Sequence, residues 1–322
     1  MNETDFDVVT IGEAMVLFAA QEPGALDSVT RFQRFSAGAE LNVAIGLARL
    51  GLRVGYLSRL GDDSFGRSLL GAMRQEGVCT TLVETTPAQP TGFMLKSRSD
   101  DGSDPQVEYF RRGSAASAMG PQDLHRLAAV RARHLHLTGI SPALSPGCRE
   151  LVFETLRWAR GQGMGISFDP NLRPRLWSSA EEMARTVNAL AGLSDIVLPG
   201  VTEGRMLTGR DSAPDIARFY LDAGAGEVLV KLGAEGAWCA CRSGTASHVP
   251  GFAVDKVIDT VGAGDGFAVG VVSARLEGLD LQAAARRANA IGARVVQFPG
   301  DSDGLPTRAQ LEAALDAHAM QP

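Results

Sequence analysis

The chain has 322 residues, 45% of them apolar and 21% charged, which is ample core material for a self-folding enzyme and too balanced for a disordered chain. A formal charge of −6 with no run of Lys or Arg excludes a nucleic-acid-binding surface, so any phosphate binding has to be local. Four cysteines, Cys79, Cys148, Cys239 and Cys241, are too few and too scattered for a disulfide framework; Cys239 and Cys241, on one face of a strand, are the pair worth a metal test.

Residues 1–8 are acidic and polar and lack the pattern of a signal peptide, and no apolar run approaches membrane-spanning length. The expectation is a cytoplasmic protein with no membrane partner. Apolar bursts of strand length follow at 8–12, 54–57, 134–137, 165–169, 195–198 and 228–231, separated by helical stretches. Near-continuous apolar strands between helices indicate a parallel sheet covered on both faces. Residues 41–50 place Leu41, Ile45 and Ala48 on one helical stripe that stops at Gly51, where a residue without Cβ takes the left-handed cap. The fold class is therefore α/β, a three-layer α/β/α arrangement around a mostly parallel sheet, and 1–322 reads as one domain.

Segments 91–97 and 106–112, joined by the polar loop 99–105, break the alternation and read as an antiparallel hairpin, either a lid or a peripheral ribbon. In its second strand Tyr109 and Arg111 share a face and Arg112 takes the other. His134 and His136 share a face of their strand, without a carboxylate partner in sequence, and read as packing residues.

The segment VLVKLGAEG at 228–236 is a strand running into a glycine turn. Gly233 and Gly236 allow close backbone approach to a nucleotide and Lys231 faces its phosphates, or the segment is a structural hairpin; both readings stand on residues alone. The segment DTVGAGDGF at 259–267 carries more chemistry. Gly262, Ala263 and Gly264 let backbone N–H groups converge on an anion, and the helix that follows adds the positive end of its dipole. Asp265 would repel a phosphate, yet a carboxylate there suits a base that takes the proton of an attacking hydroxyl. The competing role is a helix N-cap. GxxxxGK[ST] does not occur, and GEA at 12–14 stands where a dinucleotide fingerprint would follow the first strand.

These residues resemble the ribokinase-like (PfkB) carbohydrate kinases from end to end, on SAGAELNVAIGLARLG at 36–51, LGDDSFG at 60–66 and DTVGAGDG at 259–266. Within the family the likeness is to 2-keto-3-deoxygluconate kinases, on GAELN at 38–42, PTG at 90–92, YFRRGSA at 109–115 and DPNLR at 169–173. The resemblance implies phosphorylation of the terminal hydroxyl of that sugar acid by ATP with Mg²⁺, under a β-lid contributed mainly by 13–37 and 89–113. It implies Asp265 as base, Gly262, Ala263 and Gly264 as anion hole, and Lys231, Gly233, Gly236 and Asn289 for the nucleotide. For the substrate it implies Gly38, Asn42, Tyr109, Arg111, Arg173 and Asp301, with Phe93 where related kinases carry Tyr, and Glu203 for the metal.

Two arginines suit a carboxylate better than a neutral hexose, which favours a sugar acid. Asn42 has a competing reading as a helix cap, and Gly200 stands where relatives often carry an Asn. Rival readings keep the chemistry and change the sugar, to fructose, ribose or another deoxy-sugar acid, or make the chain a silent binding protein. The hairpin's exposed edge invites its copy in a second subunit, giving a homo-oligomer.

Overall fold

The computed structural model describes residues 5–98 and 105–319, the last three by their backbone alone, and most of the polar loop expected at 99–105 lies outside the described residues. Chain order is β1 (Asp5–Ile11), β2 (Met15–Pro23), β3 (Phe32–Ala37), α1 (Ala39–Arg49), β4 (Val54–Gly61), α2 (Ser64–Gln75), β5 (Val83–Thr86), β6 (Phe93–Arg98), β7 (Val107–Phe110), β8 (Arg131–Thr138), α3 (Ser141–Leu144), α4 (Pro146–Gly161), β9 (Gly165–Asp169), α5 (Ala180–Gly192), β10 (Ile196–Val197), α6 (Val201–Thr208), α7 (Ala213–Ala223), β11 (Glu227–Lys231), β12 (Ala237–Cys241), β13 (Ala246–Val249), α8 (Ala263–Leu276), α9 (Leu281–Val295) and α10 (Arg308–Ala319).

The large sheet has nine strands in the order β13-β12-β11-β10-β9-β8-β1-β4-β5. Strands β5 to β11 of that order pair in parallel, and β12 and β13 close one edge antiparallel. Side-chain alternation along β1 sends Val8 into one core and Val9 and Ile11 into the other. The first core is completed by α1, α2, α8, α9 and α10, the second by α3 to α7, giving the three layers expected from the apolar runs. The run at 195–198 survives as the two-residue β10, which still pairs with β9 and β11.

A separate four-stranded sheet, β3-β2-β6-β7, stands apart from the large one. It consists of two antiparallel hairpins whose inner strands, β2 and β6, run parallel. One face buries Met15, Leu17 and Met94. The opposite face carries Phe18, Phe93 and Phe110, and Phe18 and Phe93 meet Phe65 of α2 edge-on with ring centroids 5.6 and 5.8 Å apart. Those contacts pack the small sheet against α2, at the carboxyl ends of the parallel strands where open α/β sheets bind ligands.

Candidate active site

Two cavities open at that edge. One, of about 360 Å³, lies under the small sheet and is lined by Gly38, Asn42, Tyr109, Arg111, Arg173, Glu203 and Asp265 among others. The second, of about 570 Å³, is bounded by Gly233, Gly236, Val257 and Asn289. Lys231, Thr260 and Gly264 line both, so the two spaces meet at the start of α8.

Gly262 caps α8 in the left-handed region with φ 85°, and a Cβ there would come within 2.3 Å of the Asp301 carbonyl oxygen. Only glycine fits that turn, which aims the first amides of a 14-residue helix at the junction. Asp265 is the third residue of α8 and not its N-cap, which removes the capping reading. Its two carboxylate oxygens accept from Asn42 Nδ2 at 2.8 Å and Asn171 Nδ2 at 3.2 Å. Asn42 therefore does not cap α1 either; Gly38 does, at φ 135°, pressed against the Glu13 carbonyl. The Oδ1 atom of Asn42 is buried without a partner.

Burial pushes the Asp265 carboxyl up to about 7; the Asn42 amide opposes that rise, and the charges of Asp169 and Asp301 add to it. Burial likewise raises Asp169 to about 6 against the pull of Lys231, whose Nζ donates to it at 2.7 Å. Asp169 and Lys231 end β9 and β11, two strands apart, and hold each other at the cavity junction.

Arg111 is buried, with Nε 2.6 Å and Nη2 2.5 Å from Glu13 Oε2, while Ser114 Oγ donates to Glu13 Oε1. Tyr109 lies 5.6 Å from the Arg111 guanidinium and is 44% exposed, a cavity wall and not a packed core residue. Arg173 Nη1 donates to the carbonyls of Asn171 and Leu172, which ties its position to the residue that contacts Asp265.

Several expected site residues sit differently. Phe93 does not line the first cavity: it stacks on Phe110 at 4.6 Å on the far face of β6, because alternation gives the near face to Met94 and Lys96. Glu203 lines the cavity, but its oxygens accept from the Leu172 and Gly200 amides, both at 2.7 Å, so it also pins two loops. Gly200 lines neither of these two cavities. Asp301 lines the first cavity with its carboxylate toward Lys96. Asn289 lies in the second cavity's wall while its Nδ2 holds the carbonyls of Val249 and Pro250.

Sequence reasoning missed Glu13, Lys96, Asp169, Asn171 and Ser114. DPNLR at 169–173 contained two of them, but only Arg173 stood out. His134 Nε2 and His136 Nδ1 both bond Ser167 Oγ, at 2.8 and 2.9 Å, and burial lowers their pKa values to about 4 and about 3, so they stay neutral packing groups. Among the described residues no cluster of three His, Cys, Asp or Glu could hold a metal ion, the Cys239 and Cys241 strand included. No helix among them is long and apolar enough to cross a membrane.

The family pattern "pfkB family carbohydrate kinase" matches residues 5–308. A 2-dehydro-3-deoxygluconokinase from Bacillus subtilis is 48% identical over 97% of this chain and 96% of its own length. A PfkB protein from Polaromonas has a crystal structure with TM-score 0.88 and 50% identity, covering 96% of this chain and 99% of that one. An E. coli protein described as a ribokinase II, solved in complex with ATP and Mg²⁺, has TM-score 0.89 and 26% identity, with 97% and 100% covered. With a glycine-capped helix start, a buried carboxylate beside it and two cavities meeting there, the chain belongs to the pfkB family of carbohydrate kinases and is a sugar phosphotransferase.

Proposed function

We propose that the protein transfers the γ-phosphoryl group of ATP to the terminal hydroxyl of 2-keto-3-deoxygluconate, giving 2-keto-3-deoxy-6-phosphogluconate. The observation that carries this reading is that Arg111 and Arg173 line the same cavity as Asp265. Two guanidinium groups facing one small space suit a carboxylate-bearing sugar, and the B. subtilis relative is named for that substrate. Glu13 takes two of the five donors of Arg111 and so orients the fork, leaving the others for the substrate carboxylate. Gly38, Asn42 and Tyr109 would receive the sugar's hydroxyl and carbonyl oxygens.

The nucleotide would lie in the second cavity along 231–236, its adenine toward Asn289 and its phosphates toward Lys231 and the Gly262–Gly264 amides. Asp265, oriented by Asn42 and Asn171, takes the acceptor's proton as the oxygen attacks. A pKa near 7 makes it an effective base at neutral pH. The α8 amides and Lys231 hold the charge that spreads over the phosphoryl oxygens.

Mg²⁺ asks for one or two carboxylates, water and substrate phosphates instead of a protein cage, and Glu203, which lines the cavity beside the junction, would supply such a carboxylate. When bound, the ion neutralises phosphate charge. The small sheet would act as a lid that keeps water from competing as acceptor. On its edge strand β7, Tyr109 and Phe110 are 44% and 47% exposed, which supports pairing with a second copy and a homo-oligomer, tested by light scattering.

The test is a coupled ADP-release assay across hexoses, pentoses and keto-deoxy sugar acids. The reading expects the highest kcat/KM with 2-keto-3-deoxygluconate; a neutral hexose or pentose preferred over every sugar acid overturns it.

A further inference from the structure

Lys96 is carried by β6, on the cavity face of the small sheet, and is 4% exposed. Its ammonium reaches two carboxylates on the facing segments, Asp259 and, at 3.2 Å, Asp301. The side chains of all three are nearly closed off from solvent, at 5%, 9% and 4%. A buried lysine is costly unless paired, and two buried carboxylates without a cation between them would repel.

Both carboxylates belong to segments that shape the start of α8. Asp259 Oδ1 accepts from the Val261 amide at 3.0 Å and so folds the turn that enters Gly262. The Asp301 carbonyl lies under Gly262, at the spot a Cβ would need. One ammonium therefore clamps the 259–261 turn to the 301 loop, with Gly262 between them. None of this follows from the local sequence, since the partners are 163 and 205 positions from Lys96.

We propose that Lys96 is a positioning residue for phosphoryl transfer: as the small sheet seats, its ammonium locks the two segments flanking Gly262 and sets the first amides of α8 in register for the transferring group. Seating of the sheet and assembly of the anion site are then one event. This rests on the reading of Asp265 and the α8 amides as the phosphoryl-transfer site. Amides that serve the transition state have their effect in kcat, and a displacement of about 1 Å there costs about 10²-fold.

The experiment compares wild type, Lys96→Ala, Lys96→Gln and Asp265→Asn, each assayed for kcat and for both KM values with ammonium chloride or tetramethylammonium chloride at matched ionic strength. Lys96→Ala leaves a space the size of its side chain, so the expected result is a fall in kcat of about 10²-fold with nucleotide KM changed less, and partial recovery in ammonium that the bulky cation does not give. Lys96→Gln fills most of the space, still carries an N–H donor and has no charge; it is the folded control should the Ala variant not fold, and should show the same kcat loss without rescue. An unchanged kcat in both variants, a loss confined to sugar KM, or a loss in the Ala variant that the two salts restore equally or not at all overturns the proposal. Asp265→Asn separates the two claims: if it keeps wild-type turnover, the reading of the site fails; if it is inactive while the Lys96 variants turn over normally, the role of Lys96 alone fails.

Discussion

Replacing Asp265 by Asn should stabilise the ligand-free protein while disabling it. Folding lifts this carboxyl from an ordinary 3.8 to about 7, mainly by burial. A raised carboxyl pKa means that the folded state binds the proton more tightly than the unfolded chain, so stability is lost as pH rises from about 4 to about 7 and stays low above that. About three pH units at about 1.4 kcal/mol each give about 4 kcal/mol of penalty at pH 8. The new amide would face the Asn42 and Asn171 donors, but the unpartnered Asn42 Oδ1 can turn to accept from it, so the loss in hydrogen bonding is about 1 kcal/mol. The net gain expected is about 2–4 kcal/mol at pH 8, shrinking toward zero by pH 4, alongside a turnover loss of about two to four decades. Urea unfolding of both proteins at pH 4, 6 and 8 measures it. A variant less stable than wild type at pH 8, or a difference that does not change with pH, would refute the reasoning.

Other expectations follow from the same geometry. The log of kcat/KM should fall with unit slope below a midpoint near pH 7, because only the ionised Asp265 accepts a proton, and Asn42→Ala should move that midpoint upward by removing the donor that opposes the rise; an unmoved midpoint excludes Asp265 as its source. Arg173→Gln should raise the KM for the sugar acid by about 10- to 100-fold, the loss of one or two charge-assisted hydrogen bonds, with little effect on any neutral sugar that is turned over. Gly262→Ala combines a φ of 85° with a 2.3 Å approach to the Asp301 carbonyl, so it should cost more than about 1 kcal/mol in thermal unfolding and lower kcat by displacing the α8 amides.

The large sheet was legible because buried parallel strands announce themselves as uninterrupted apolar runs, and Gly165–Asp169 matches β9 residue for residue. Short polar strands such as β5 and β13, with no fully buried residue, carry no such run and leave no signal in the sequence. In the site, what could be read from residues were groups whose motif lies within one segment: the glycines around Asp265, and Tyr109 with Arg111. What could not be read were pairings between distant segments. Glu13 meets Arg111 across 98 positions and Asn42 meets Asp265 across 223, and neither leaves a local pattern. Phe93 differs for another reason: likeness places it in the site, whereas strand alternation relative to Lys96 puts it on the other face.

The most direct test of the central claim, that Asp265 deprotonates the acceptor beside the α8 amides, is a crystal structure with the sugar acid and a non-hydrolysable ATP analogue bound together. The account predicts an Asp265 oxygen within about 2.6–3.2 Å of the terminal hydroxyl, with that hydroxyl in line with the γ-phosphorus and the Gly264 region facing the phosphate. A carboxylate turned away from every substrate oxygen, with another group holding the hydroxyl, would contradict it.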